Sequence, residues 1–468
     1  MNEHLRTFDL AIIGAGPGGY VAAICAAQLK AKVALVEKWE VGGVCLNTGC
    51  IPTKVLISAA HALENISEAE QWGIKTSHSD LDLVQLARRK QLTVKRLTNG
   101  VRHLLKNNKV ELFSGEASFF DSDTLHIQFK DGKEENIKAR KIIIAAGSVP
   151  VRLSIPGCNL KGVMDSTAAL EIDRIPKSMM VIGGGYIGCE FASIYRAFGT
   201  KVTIVEMLSQ ILPGEDEEIV CSLKSTLQKK GIDILTDSKV TQIQLTENDT
   251  KKIGIRTLQE EKEIVADKVL VSVGRRPQTH GLNLEGIGVR TTQGQVLVDE
   301  CLRTNLPNVF AIGDCIGNYL LAHVASMEGE IAVENALFNR NKKMDYSAVP
   351  RCIFTIPEIG SIGISEKQAQ QKNIKIKVGR FPFLANGKAQ TENQTEGMVK
   401  TITDENGRIL GAHILGNRAT DLIAQLALAM RNGVSAQGFI ETIHAHPTLP
   451  EAVREAFLKS EGRPLHVL

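Results

Sequence analysis

Residues 8–19 read Phe8-Asp9-Leu10-Ala11-Ile12-Ile13-Gly14-Ala15-Gly16-Pro17-Gly18-Gly19, and an alanine-rich stretch from Tyr20 to Lys30 follows. An apolar run that ends in a glycine cluster predicts a short buried strand over Phe8–Ile13, a tight turn, a helix over Tyr20–Lys30 and a second strand over Lys32–Glu37. That is one βαβ unit. Gly14, Gly16 and Gly19 form the pattern GxGxxG, which lets backbone N–H groups and a helix N-terminus approach a pyrophosphate. Glu37, closing the second strand, can accept hydrogen bonds from a ribose. The glycine spacing alone is weak; strand, turn, helix and acid together give it force.

The unit recurs. Met179–Ile182 predicts a strand, Gly183, Gly185 and Gly188 repeat the fingerprint, a helix begins near Tyr186, and Lys201–Glu206 predicts the next strand. The acid follows the first glycine by 23 positions in each copy, from 14 to 37 and from 183 to 206. Two copies mean two dinucleotide sites. Met207, Leu208 and Ser209 follow Glu206 with no arginine for a 2′-phosphate, which favours NAD over NADP at the second. Lys141–Pro150 and Lys268–Pro277 echo each other too. Each is an apolar strand ending in a glycine (Gly147, Gly274) with proline three residues later, so they read as equivalent exits from the two nucleotide domains. Stretches of alternating residues over 113–141 and 240–265 predict antiparallel β-excursions. From about Asp345 the texture changes to short β-like runs, then a helix over Asp421–Arg431. The expected fold class is α/β, with two Rossmann-like domains followed by a C-terminal α+β domain.

Bulk properties narrow the function. A chain of 468 residues is long enough for two to four domains. A net charge of +3, from 55 basic and 52 acidic residues, gives no footprint for nucleic acid. Nine cysteines are too few for a disulfide scaffold, and their odd number argues against full pairing. Leu10–Leu29 is uncharged, but its glycine cluster reads as a turn, and Glu3 and Asp9 do not make a basic signal-peptide start. The expectation is a cytoplasmic protein with no targeting segment and no membrane insertion.

A second decisive stretch is Gly42-Gly43-Val44-Cys45-Leu46-Asn47-Thr48-Gly49-Cys50-Ile51-Pro52-Thr53-Lys54. The cysteine spacing is not that of a zinc CxxC. Pro52 suits the first turn of a helix, which would place Cys50 near a helix N-terminus, where partial positive charge favours a thiolate. Taken alone, such a pair reads first as core packing. Asn308–Asp314 predicts another strand with a Gly-Asp end, where the carboxylate could hold a sugar hydroxyl. In His444-Ala445-His446-Pro447-Thr448-Leu449-Pro450-Glu451 the prolines stiffen the backbone, and a histidine with an acid five positions on is a weak hint of a base and its orienting carboxylate. Two dinucleotide sites beside a cysteine pair suggest one logic. A flavin couples thiol exchange to hydride transfer, with FAD in the first site and NAD in the second.

From about Asp9 to Phe457 the sequence closely resembles the dihydrolipoyl dehydrogenases of the pyridine nucleotide–disulfide oxidoreductase family. Gly42–Lys54 looks like the family's redox-disulfide signature, and the HAHPT run at 444–448 and both glycine fingerprints agree. The resemblance implies an FAD-binding domain (1–149), an NAD-binding domain (150–272), a central domain completing the FAD site (273–345) and an interface domain (346–468). It implies a homodimer in which one subunit's interface domain completes the other's active site. By motif, Cys45 is the thiol that meets substrate, Cys50 the flavin-proximal thiol, His446 the acid/base and Glu451 its partner. Lys54 matches the lysine near the flavin, paired with Glu190. Asp314, Ala322 and His323 match FAD contacts, and Gly274 matches a residue of the NAD site. Tyr186 reads as a gate over the nicotinamide pocket or as a core aromatic. Ala146 and Val44 depart from the threonines usual in relatives. The implied reaction is NAD-dependent oxidation of dihydrolipoamide through a Cys45–Cys50 disulfide and FAD. The lipoyl group would come from 2-oxo acid dehydrogenase complexes or a glycine-cleavage carrier protein, since no N-terminal lipoyl domain is expected in this chain. Glutathione reductase is the nearest rival, disfavoured by the residues after Glu206. The remaining cysteines (25, 158, 189, 221, 301, 315, 352) are expected to pack.

Overall fold

The computed structural model describes residues 5–76, 80–171 and 173–467; Glu3 lies outside the described residues. Strand β1 (Arg6–Ile13) is the centre of the first sheet, and its apolar run is buried from Leu10 to Ile13. A central parallel strand is covered on both faces, which is why it reads as continuous rather than alternating. Helix α1 (Pro17–Gln28) starts three residues ahead of the predicted Tyr20. Pro17 fits the first helical position because its φ is already helical and it has no N–H to leave unpaired. The helix stops before Lys30, which turns to φ 70°. After β2 (Val33–Glu37) come α2 (Gly43–Thr48), α3 (Cys50–Ser67) and α4 (Leu83–Asn107), then β3 (Glu111–Phe119), β4 (Thr124–Phe129) and β5 (Glu134–Ile144). The first half of β5 pairs antiparallel with β4, and β4 with β3, forming the predicted excursion. The second half runs parallel beside β1, with Ile144 opposite Ile13.

After β6 (Ser148–Pro150) and β7 (Val163–Met164), the second unit is β8 (Ser178–Ile182), α5 (Tyr186–Ala197), β9 (Lys201–Val205), α6 (Glu217–Lys229) and β10 (Ile232–Leu235). Its excursion is the antiparallel β11 (Lys239–Leu245), β12 (Lys251–Arg256) and β13 (Glu261–Ala266), and β14 (Lys268–Val271) returns to the sheet. The parallel order is β10-β9-β8-β14-β7. The two predicted exits meet: β15 (Arg275–Pro277) pairs antiparallel with β6. A small hairpin, β16 (Thr291–Thr292) and β17 (Gln295–Val296), leads to β18 (Val309–Ala311) and α7 (Ala322–Phe338). β18 adds to the first sheet beside β5, giving the parallel order β3-β2-β1-β5-β18. Segment 273–345 therefore supplies an edge strand of the first sheet. α7 crosses α1 closely, since a Cβ on Gly329 would stand 2.7 Å from the Gly18 carbonyl.

The C-terminal part holds β19 (Arg351–Ile353), β20 (Glu358–Gly363), α8 (Glu366–Gln371), β21 (Ile376–Pro382), α9 (Gly387–Thr391), β22 (Met398–Asp404), β23 (Ile409–Gly416), α10 (Ala419–Arg431), α11 (Ala436–Glu441) and α12 (Glu451–Ser460). The strands make one antiparallel sheet in the order β19-β20-β23-β22-β21. α10 and α12 cover one face over a core that includes Ile414, Ile423, Leu426, Val453 and Phe457. Ile353, Ile356, Ile359 and Leu415 instead join the core of the second nucleotide unit, so the C-terminal sheet is docked against it. Among the described residues one helical stretch, Gly43–Ser67, has the length and apolarity of a membrane span. It is α2 and α3 interrupted at Gly49, and Leu56, Ile57 and Ala60 bury it in the core shared with α5.

Candidate redox site

The two glycine fingerprints fold alike because each demands the same backbone approach. Gly14 and Gly183 have φ of 101° and 102°, a region that strains any residue with a Cβ. A Cβ on Gly19 would lie 1.8 Å from the Gly14 carbonyl, and one on Gly188 would lie 2.0 Å from the Gly183 carbonyl. At Gly16 and Gly185 a Cβ would meet nothing, so both turns leave open space just where a helix begins. Glu37 accepts the N–H groups of Ala15 (2.7 Å) and Trp39 (2.8 Å). Glu206 accepts those of Gly184 (2.6 Å) and Leu208 (2.8 Å). Both acids therefore brace their loops.

A cavity of about 630 Å³ opens at the first cradle. Its wall includes Gly14, Gly16 and Glu37 at one end and Cys45, Cys50 and Lys54 at the other. The cysteines do not lie in an open loop. Cys45 is within α2, Gly49 breaks the helix, and Cys50 is the first residue of α3 with Pro52 in its first turn. Both are thiols here, hydrogen-bonded to each other. That hydrogen bond, and next to it the Lys54 ammonium, outweigh burial and lower the Cys50 thiol to about 7. Cys45 moves the other way, pushed up by its bond to Cys50 and by burial. The two sulfurs are thus driven in opposite directions, Cys50 toward the thiolate and Cys45 toward the thiol.

Lys54 Nζ donates to both Glu190 oxygens at 3.0 and 2.8 Å, and lies 4.3 Å from the centre of the Phe354 ring. Glu190 also accepts the Phe354 N–H at 3.0 Å. A residue from each nucleotide unit and one from the C-terminal part thus meet beside Cys50. At the other wall Asp314 accepts the Ser148 hydroxyl. Arg275 donates to Ser148 Oγ at 2.8 Å and to its carbonyl at 2.7 Å. Burial raises the Asp314 carboxyl and lowers the Arg275 guanidinium; each partly offsets the other. Gly147, Ala322 and His323 also line the cavity, and His323 bonds the Pro350 carbonyl at 2.9 Å.

Several predicted residues stand apart. Gly183, Gly185, Gly188, Glu206 and Gly274 are not part of that cavity wall. His446 and Glu451 are also absent from that wall. They do meet each other, through His446 Nδ1 and Glu451 Oε1 at 2.9 Å, and Glu451 Oε2 accepts the Thr448 N–H at 2.7 Å. Burial opposes its ionisation, yet the Thr448 N–H and the imidazole hold Glu451 below the usual carboxylate range. The imidazole itself is 77% exposed.

Comparison with known proteins fits this geometry. The family described as pyridine nucleotide-disulphide oxidoreductase matches residues 8–329, and its dimerisation domain matches residues 349–457. This chain belongs to the pyridine nucleotide–disulphide oxidoreductases. Among its relatives, a dihydrolipoyl dehydrogenase of Geobacillus stearothermophilus is 44% identical, covering 98% of this chain and 97% of the relative. One from Bacillus subtilis (strain 168) is 42% identical, with 98% of each covered. Among solved structures, the Cu(II) complex of the HOCl-induced flavoprotein disulfide reductase RclA from Escherichia coli aligns with a TM-score of 0.87 at 30% identity, over 97% of this chain and 99% of that one.

Members of the family use FAD and NAD, and the residues present fit both. The Gly16 cradle, the Glu37 brace and the long cavity leading to Cys50 suit FAD, and the Gly185 cradle suits NAD. Four participants escaped the sequence reading. Ser148, Arg275 and Phe354 carry no motif, and their partners lie 127 to 166 positions away. Glu328 is fully buried and accepts the Gly313 N–H at 2.6 Å and the Tyr346 hydroxyl at 2.7 Å. Its only sequence signal is an acid inside an apolar helical stretch.

Proposed function

We propose that this protein is an NAD-dependent dihydrolipoyl dehydrogenase, working as a homodimer on lipoyl groups carried by other proteins. The observation that carries the reading is the divided thiol pair at the end of the flavin-sized cavity. Cys50 is lowered and set at a helix N-terminus beside Lys54, whereas Cys45 is raised. A pair that exchanges with a substrate dithiol needs that asymmetry, because one sulfur must leave easily while the other receives attack.

In the oxidised enzyme the two sulfurs form a disulfide. His446 Nδ1–H faces Glu451, so Nε2 takes the proton from the first substrate thiol. The substrate thiolate attacks Cys45 Sγ, the Cys45–Cys50 bond breaks, and Cys50 leaves as a thiolate stabilised by Lys54. The second substrate thiol then attacks the mixed disulfide, closing the lipoamide ring and releasing Cys45. The electron pair now resides on the protein dithiol. FAD, held by the Gly16 cradle and Glu37, would take that pair when bound and supply hydride for NAD at the Gly185 cradle. Because His446 does not line its own chain's thiol cavity, the base is assigned to the neighbouring subunit, and the matched dimerisation domain supports this.

The division 1–149, 150–272, 273–345 and 346–468 is the domain organisation proposed, with a cytoplasmic location and lipoyl domains of 2-oxo acid dehydrogenase complexes or a glycine-cleavage carrier as partners. Anaerobic addition of dihydrolipoamide, then NAD, tests the chemistry; a long-wavelength thiolate–flavin band followed by NADH is expected, and an unaltered flavin spectrum would defeat the reading. Exchange between Cys50→Ser and His446→Gln homodimers, each inactive, should restore activity. Verified heterodimers without activity would remove the shared-site assignment.

A further inference from the structure

Among the described residues, the C-terminal part reaches the thiol cavity through Cys352 of β19 and Phe354 just after that strand. Two anchors set their position. Arg351 donates to buried Glu215, in the loop between β9 and α6, from Nε at 2.8 Å and from Nη2 at 3.4 Å. Glu215 also accepts the hydroxyls of Ser361 and Tyr186, and its side chain is 1% exposed. Ile353 and Ile356, on either side of Phe354, sink into the core that the second nucleotide unit shares with α3. Held on both flanks, the Phe354 ring has little freedom to move.

That ring faces Lys54. Lys54 follows Cys50 by four positions on α3, so both lie on one face of the helix. Its ammonium is held by both Glu190 oxygens and stands 4.3 Å from the Phe354 ring centre. A cation over an aromatic ring is attracted by its electron-rich face, and more strongly where water is excluded. The Lys54 side chain is still 30% exposed, against 9% for Glu190, so a ring laid over the ammonium covers a side that water could reach. The grip is double, since the Phe354 N–H donates to Glu190 at 3.0 Å. Around Cys50 the charged and titratable neighbours are Cys45 on α2, Lys54, Glu190 on α5 and Arg275 on β15, and Cys352 adjoins Lys54. Cys50 is lowered first by the Cys45 hydrogen bond and next by Lys54, against burial and Glu190. How strongly Lys54 acts depends on where its ammonium is held and how dry its surroundings are.

We propose that Phe354 is a positioning residue for the Cys50 thiolate: its ring, delivered by the C-terminal part, holds the Lys54 ammonium beside Cys50 and shields it from water. The proposal rests on the reading of Cys45 and Cys50 as a redox pair next to a flavin. In holoenzyme reduced with stoichiometric dihydrolipoamide, the long-wavelength thiolate–flavin band, titrated against pH, reports how much of Cys50 is ionised. The wild-type midpoint should lie at about 7. Phe354→Leu keeps the backbone N–H on Glu190 but removes the aromatic face, and should raise the midpoint by roughly half a unit, less than Lys54→Met does. Phe354→Tyr keeps that face and should titrate as wild type. In a Lys54→Met background Phe354→Leu should add no further shift, because the ring then has no cation to hold. An unmoved midpoint in Phe354→Leu would overturn the proposal. So would an equal shift in Phe354→Tyr, or the same added shift in the Lys54→Met background, since either marks a packing effect that bypasses the ammonium. Phe354→Met, also apolar and without an aromatic face, takes the place of Phe354→Leu if that variant does not fold. Wild-type enzyme without the band would instead sink the redox reading, and the proposal with it.

Discussion

The two nucleotide units share strand order, glycine geometry and the braced acid, yet they present their cradles differently. The first opens into a cavity whose wall is completed by β6, β15 and α7. A Cβ on Gly43 would lie 2.7 Å from Gly16 Cα, so the cysteine-bearing segment is laid directly over this cradle. At the second the matching contact comes from Leu212, whose N–H meets the Gly184 carbonyl at 2.7 Å as the Gly42 N–H meets the Ala15 carbonyl at 2.8 Å, and Tyr186, Ile187, Glu190 and Phe191 of its helix reach the first cradle's cavity. On the proposed function one local design would serve a cofactor that stays and a coenzyme that must leave, and the distinction would lie in what the rest of the chain packs around each turn.

The sharpest way to break this comparison is to make the same clash in both cradles. Gly19→Ala and Gly188→Ala force contacts of 1.8 and 2.0 Å on the preceding turn. Gly19→Ala should yield protein without flavin and with no activity, whereas Gly188→Ala should keep its flavin and its reduction by dihydrolipoamide but lose NAD reduction. Equal flavin loss, read from absorbance per protein, would refute the distinction. His446→Gln should cost about 10²- to 10⁴-fold in lipoamide turnover while both cradles stay loaded.

The thiol pair gives a pH-dependent test. Cys50 is depressed from an ordinary value near 9 to about 7, first by the Cys45 hydrogen bond and then by Lys54. In the reduced enzyme, alkylation of Cys50 should rise through about pH 7; Cys45→Ala should move that midpoint up most, and Lys54→Met less. A depressed acid stabilises the fold where the unfolded thiol would also ionise. The contribution is complete above about 9 and fades as pH falls through about 7, so reduced wild type should gain stability across that window and Cys45→Ala should gain less. The smallest effect is at the braced acids. Glu206→Gln weakens two backbone hydrogen bonds and should cost about 1–3 kcal/mol in thermal unfolding with a raised KM for NAD. Glu37→Gln should be milder in stability, because Glu37 is less buried.

Much of this was legible in the sequence. Period, glycine spacing and terminal acids are local signals, and β1, β2, β8 and β9 formed within two residues of their predicted bounds. The excursions also fell where charge-bearing alternation put them. The Lys54–Glu190 pair came through resemblance alone, since 136 positions separate the partners. Asp314 and Tyr186 were singled out, but their partnering with Ser148, Arg275 and Glu215 gave no signal. That partnering depends on which strand ends the folded chain brings together, and neither periodicity nor composition encodes that. α2 was missed because glycines at both ends mask a helix of only six residues.

The ribbon of β6 and β15 has a wider consequence. Val149 and Arg276 hold equivalent places in the two exits, and they are paired with each other. The flanking bonds are reciprocal: Val151 N–H to the Gly274 carbonyl and Gln278 N–H to the Gly147 carbonyl, both at 3.0 Å. This is the signature of an isologous contact, in which the same patch meets itself across a local two-fold axis. The halves of one polypeptide thus join as identical subunits of a dimer would, so a single unit of this kind already contains the edge needed to pair with its own copy.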